Sequence, residues 1–240
     1  MAVCGYIQPV SDEPITRSNP WTDTVYSRTS GYAGFDRLIN FTDAVYAIAL
    51  TLAALEIGLP ELVGDADDPA ALWAAIVEKG PEIGAFLVAF VWVAIYWRAN
   101  HRFVATLRGV SGRFTLVTLV YLAFVAVLPW PAELLGDNWG NPMAVVVFAV
   151  FVACVSGLEV VMWQVAYTDD LFLLRPSPTY KKQQMLGASS PVIIFLLSIP
   201  LAFVAPQLAI AFWLVGSILV GVLLSRFLTA PPPEWTDSRS

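Results

Sequence analysis

The chain has 240 residues, 58% of them hydrophobic and only 13% charged, with a mean hydropathy of +0.68. That charged share is about half of what a soluble domain carries, so the composition excludes an ordinary soluble enzyme and predicts a polytopic membrane protein. The formal net charge of −6 argues against nucleic acid as a partner.

Residues 1–35 are polar, contain Asp12, Glu13, Arg17, Asp23 and Arg28, and lack the apolar core of a cleavable signal. They are expected to form a disordered tail that stays on the side where it was made. The two cysteines, Cys4 and Cys154, lie in that tail and in an apolar run, which implies no disulfide framework. A single His and two scattered Cys also supply no metal-ligand cluster, and no cofactor is expected.

The stretch Arg37 to Pro60 reads RLINFTDAVYAIALTLAALEIGLP. Residues 41–59 are long and apolar enough for a first membrane span, which Pro60 ends. Asp68-Pro69 then reads as an N-cap followed by proline at the first helical position, opening a short helix that Gly80 stops. A second span runs from about Glu82 to Trp97 and continues as helix through Asn100, His101 and Arg102. The third covers about 114–131, ending at Pro129-Trp130-Pro131. A loop with turn signals at Gly136 and Gly140-Asn141-Pro142 leads to a fourth span, about 143–166, which contains Glu159. The polar run 168–184 is expected to be the longest internal loop. Apolar sequence from Pro191 to Leu224 would be about 50 Å long as one helix, too long for one crossing. Pro206-Gln207 divides it into spans of about 190–205 and 208–227, with Pro200 expected to kink the fifth. The domain reading is a tail over 1–35, a six-helix membrane domain over 36–228 and a second tail over 229–240.

Charge placement supports six spans. With the N-terminus inside, 12 of the 13 basic residues fall on the inner side and only Lys79 falls outside, as the positive-inside rule requires. The chain is therefore expected to be multi-pass in the cell membrane, with both termini cytoplasmic.

On a helical wheel, Phe41, Ala44, Ile48, Leu52, Leu55 and Leu59 share one face, with Thr51 beside them. Small residues pair at i, i+4 as Ala49/Ala53 and Ala54/Gly58, a spacing that lets helices approach closely. This predicts a central place in a bundle, although a Leu/Ile stripe is on its own ordinary packing. Asp43 lies just inside the span. It reads either as part of an N-cap with Thr42, or as a carboxylate that takes a partner from another helix. Asn100, His101 and Arg98 stand at a similar depth as candidates. Glu159 is expected to pair with another helix, and Glu56 to reach water. The acidic run Glu61, Asp65, Asp67 and Asp68 is expected to be a solvated loop.

Arg37, Phe41, Thr42 and Asp43 stand as R-x-x-x-F-T-D. This resembles the R-x-x-x-F-S-D signature and following helix of the transmembrane protein 175 family of potassium-permeable channels, with Thr in place of Ser. YWRANHRF, residues 96–103, is similar to a Y-W-x-x-H-H-R stretch of prokaryotic members, with Asn100 where the first His stands. The resemblance implies an all-α homotetramer whose first helices line the path of permeant K⁺. It also implies that the narrowest ring is Ile48, with Leu52 and Leu55 further along and Thr51 as the hydroxyl near the filter. Arg37, Phe41, Thr42 and Asp43 would hold that helix rather than touch ions. The alternative is a proton-coupled transporter relaying through Asp43, His101 and Glu159, although the two three-span halves show no repeat. No nucleophile–base pair, phosphate loop, HExxH or TVGYG sequence is present.

Overall fold

The structure, a computed structural model, describes residues 25–27, 34–55, 57–60, 68–174 and 176–227. Two three-residue strands, β1 (Val25–Ser27) and β2 (Gly109–Ser111), accompany eight helices. These are α1 (Gly34–Leu55), α2 (Pro69–Glu78), α3 (Gly80–Ala105), α4 (Gly112–Val127), α5 (Pro129–Asp137), α6 (Pro142–Thr168), α7 (Pro178–Val204) and α8 (Pro206–Phe227). Five stretches are long and apolar enough to cross a membrane: α1, α3, the α4–α5 pair taken together, α6 and α7. The described apolar part of α8, Pro206–Ser217, is shorter.

Helix starts follow their caps. Asp68 accepts from the Ala70 N–H at 2.9 Å, and Asn141 from the Met143 N–H at 2.9 Å, each with proline next in sequence. Ser111 caps α4 by accepting from Phe114 N at 3.1 Å, and Ser177 caps α7 by accepting from Tyr180 N at 3.2 Å. Each cap satisfies an amide that has no partner inside the helix.

Helix α6 is the hub. Phe148, Val152, Val155, Ser156 and Met162 are all buried, and α4, α5, α7 and α8 pack around it. Phe148, Phe195 and Trp213 stack where α6, α7 and α8 meet, and the Trp213 indole donates to Ser198 Oγ at 2.7 Å. Helix α7 carries Pro191 and Pro200 in its interior. Pro191 cannot donate to the Gly187 carbonyl, and the Ser190 hydroxyl does so instead, at 2.8 Å.

One end of the bundle is stitched together. β1 pairs antiparallel with β2, bringing the flank before α1 to the α3–α4 connection. Leu107 bridges to Phe172, bringing the α6–α7 connection to the same place. Arg108 pairs with Asp170 at 2.9 Å and Arg113 with Asp169 at 3.0 Å. Three chain connections thus lie at one end, as an even number of crossings between them requires.

Several expectations are corrected. Helix α1 begins at Gly34 rather than 41 and ends at Leu55, so Pro60 does not end it. Gly58 has φ +64, and it and Leu59 lie beyond the helix. Thr42 and Asp43 are therefore interior residues and not an N-cap. Within the subunit α1 lies at the edge and α6 at the centre. The segment after Pro129 is helical, because Pro129 and Pro131 sit in the first turn of α5, where a missing N–H costs nothing. Residues 178–184 belong to α7, which shortens the expected loop. Residues 25–27 of the expected tail form a strand. Cys4, Glu56, Glu61, Asp65, Asp67, the rest of the N-terminal tail and residues 228–240 lie outside the described residues.

Candidate functional site

The site is built on α1. Phe35, Thr42, Tyr46, Ala49 and Ala53 are its buried residues, spaced by seven, four, three and four positions. That spacing makes one stripe. α1 packs against α3, α4 and α5, and the Tyr46 hydroxyl is hydrogen-bonded to that of Tyr121 on α4. Thr42 donates back to the Leu38 carbonyl at 2.8 Å, which satisfies a hydroxyl on a buried face.

The ladder seen in the sequence lies roughly 130° around from that stripe, at 100° per residue. Phe41, Ala44, Ile48, Thr51, Leu52 and Leu55 are all exposed on the subunit, Ile48 by 57% and Leu55 by 74%. Leu59 is also exposed but no longer belongs to the helix face. Thr51 donates to the Ile48 carbonyl at 2.9 Å, so its proton is engaged and its oxygen lone pairs are left facing outward. Arg37 is exposed, about two turns before Ala44 on the same side of the helix.

Asp43 finds its partner on α3. The Trp97 indole N–H donates to Asp43 Oδ1 at 2.9 Å, and the Trp97 ring stacks on His101 with centroids 5.5 Å apart. His101 therefore meets Asp43 through an aromatic intermediary. Asn100, the other expected partner, is buried on α3, while Arg98 is exposed. Trp97 stands in the sequence as an indole donor one helical turn before His101, and an indole N–H, which does not titrate, suffices as the partner of Asp43. Glu159 sits on α6, 9% exposed, beside a cavity of about 650 Å³. Among the described residues no hydrogen bond or ion pair joins it to Asp43, to His101 or to any other side chain. Among the described residues the expected pairing of Glu159 with another helix is not formed.

Residues 37–129 match the family described as endosomal/lysosomal potassium channel TMEM175. Over that segment the chain is similar to the TMEM175 family. The matched segment starts at Arg37, the first residue of the R-x-x-x-F-T-D arrangement, and runs to the start of α5. A potassium channel of Streptomyces collinus is 29% identical over 73% of this chain and 85% of its own length. A potassium channel of a Chryseobacterium species is 25% identical over 76% of this chain and 90% of its own. The crystal structure of a lysosomal potassium-selective channel TMEM175 homolog from Chamaesiphon minutus superposes with a TM-score of 0.66. It covers 80% of this chain and 99% of that one at 23% identity, a likeness of fold. The chain thus shares its helical architecture with nearly the whole length of that solved structure.

Proposed function

We propose that this protein is a member of the TMEM175 family and a potassium-permeable cation channel of the cell membrane. The observation that carries the reading is the match, over most of both chains, to bacterial relatives that are named potassium channels. The chain would cross the bilayer six times, with α8 as the last span and the stitched, arginine-rich end facing the cytoplasm. Four copies would place their α1 helices around a shared axis. The exposed apolar ladder of α1 supports this, because it leaves a helix face without a partner in the subunit.

In this assembly Ile48 forms the narrowest ring, and Leu52 and Leu55 extend the apolar neck. A neck of that kind closes to ions by expelling water and conducts when it widens enough to stay wet. Thr51 contributes an oxygen that orients water or a partly dehydrated ion, since its own proton is held by Ile48. K⁺, with a less tightly held hydration shell than Na⁺, is favoured by such a passage. Arg37, Phe41, Thr42 and Asp43 position α1, with Asp43 held by Trp97. No chemical conversion is part of this activity.

Purified protein in liposomes should pass K⁺ faster than Na⁺ down a gradient without a coupling ion, from an assembly of tetramer mass. Ile48→Asn should hydrate the neck and raise flux or weaken selection by about tenfold or more. Wild-type flux and selectivity in that variant would remove Ile48 from the constriction, and saturable flux that needs a pH gradient would replace the channel with a carrier.

A further inference from the structure

Glu159 lines a cavity to which α1 contributes no residue. The cavity is formed where α3, α6 and α7 diverge, and its volume of about 650 Å³ falls in the range of small-molecule sites. Tyr96 and Phe103 from α3 and Trp163 from α6 line it with aromatic surface. The Glu159 carboxyl faces it, nine-tenths buried, with no hydrogen-bond or ion-pair partner among the described residues. The nearby polar groups are taken: Tyr96 is bonded to Ser156 and to the Val152 carbonyl. Arg102 lines the same cavity from three residues before the end of α3, while Glu159 stands nine residues before the end of α6. At 1.5 Å per residue their backbone positions are offset by on the order of 10 Å along the axis, and no ion pair joins the two side chains among the described residues. Arg102 is exposed and therefore screened by water at the mouth.

A buried carboxyl without a partner is a costly feature that a bound cation would relieve. Aromatic walls favour a cation with an apolar body over a bare, strongly hydrated metal ion. We propose that this cavity binds an organic ammonium group, a protonated primary amine on an apolar body, with Glu159 as its counter-ion. The amine N–H groups donate to the carboxylate, and the alkyl or aryl body lies against Phe103 and Trp163. The amine can come from a soluble compound or from an aminophospholipid headgroup, since both present the same donor.

The test uses the purified full-length protein in its native oligomeric form. Thermal unfolding is followed with n-hexylamine and, as a neutral match of the same length, 1-hexanol. The amine should raise the midpoint saturably, by several degrees more than the alcohol. Glu159→Gln should reduce the amine's shift to the alcohol's. Gly187→Leu gives a second, independent reading. Gly187 lines the cavity within α7, and a Cβ there meets nothing within 4 Å, so leucine fills the space while leaving Glu159 in place. That variant should also lose the amine's excess shift, even if Glu159→Gln fails to fold. An equal shift from amine and alcohol in the wild type, or an undiminished amine shift in either variant, would overturn the assignment. Nanodiscs containing phosphatidylethanolamine or phosphatidylglycerol separate the sources. A hexylamine shift lost only in the former identifies the headgroup as occupant, and an equal shift in both identifies a soluble amine.

Discussion

Trp97 donates its indole N–H to the Asp43 carboxylate at 2.9 Å, tying the last third of α3 to the signature segment of α1. The bond is partly open to solvent, since Trp97 is exposed, so its contribution falls at the low end for a charged acceptor, about 1 kcal/mol. Trp97→Phe should lower stability by about that much, and Asp43→Ala by a similar amount. A double-mutant cycle read by unfolding in detergent should be non-additive. Additive losses would show that the two side chains do not support one another.

The hydroxyls of Tyr46 and Tyr121 are bonded to each other in the buried contact between α1 and α4. Removing one leaves the other buried without a partner, which costs roughly 1–3 kcal/mol, whereas removing both can be nearly neutral. Tyr46→Phe and Tyr121→Phe should therefore each destabilise, and the double Phe variant should recover most of the loss. A double variant that melts lower than either single one would contradict this.

Gly136 is where α5 passes closest to α3. A Cβ there would lie 2.9 Å from the Glu82 Cα and 3.3 Å from the Ala85 Cβ. Neither atom is the end of a flexible side chain, so the helices themselves must separate. Gly136→Val should cost about 1–3 kcal/mol, while the same change at Gly157, where nothing lies within 4 Å, should cost far less. Comparable melting of the two variants would mean that α5 is free to shift.

Ser111 has two roles, capping α4 through Phe114 N and donating to Asp169 Oδ2 at 2.6 Å. Arg113 also reaches Asp169, at 3.0 Å, but its side chain is largely exposed, so water screens the pair. Ser111→Ala should lower stability by about 1–2 kcal/mol, and Arg113→Gln by under about 0.5 kcal/mol. A chemical-denaturation series that ranks the two the other way would place the strength of this connection in the ion pair.

Much of the fold was legible because membrane helices announce themselves twice, by apolar length and by their caps. Asp68-Pro69, Asn141-Pro142 and the break at Pro206 all stand where the residue types require. The errors share a cause. Gly34 to Asn40 mixes Asp, Arg and Asn with apolar residues and gives no hydropathy signal, yet it is helical with Phe35 buried. The proline-rich start of α5 resembles a loop until its prolines are placed in a first turn. β1 exists only through β2, more than eighty residues away, and three residues carry no local signature. For the site, the ladder of α1 was visible as a periodicity, whereas the Asp43–Trp97 bond and the cavity at Glu159 depend on how separate helices meet.

The stitched end also sets how the protein meets membranes of different thickness. Helices α3 and α7, at 26 and 27 residues, are each about 40 Å long against an apolar slab of about 30 Å. Their polar turns, Arg98 to Arg102 and Thr179 to Gln184, both fall at that end. The length of each helix exceeds that slab by about 10 Å. A thicker bilayer can rise along that surplus, and a thinner one leaves more of it in water. Polar turns of both helices at the end with the strands and ion pairs would let mismatch be taken up on that side.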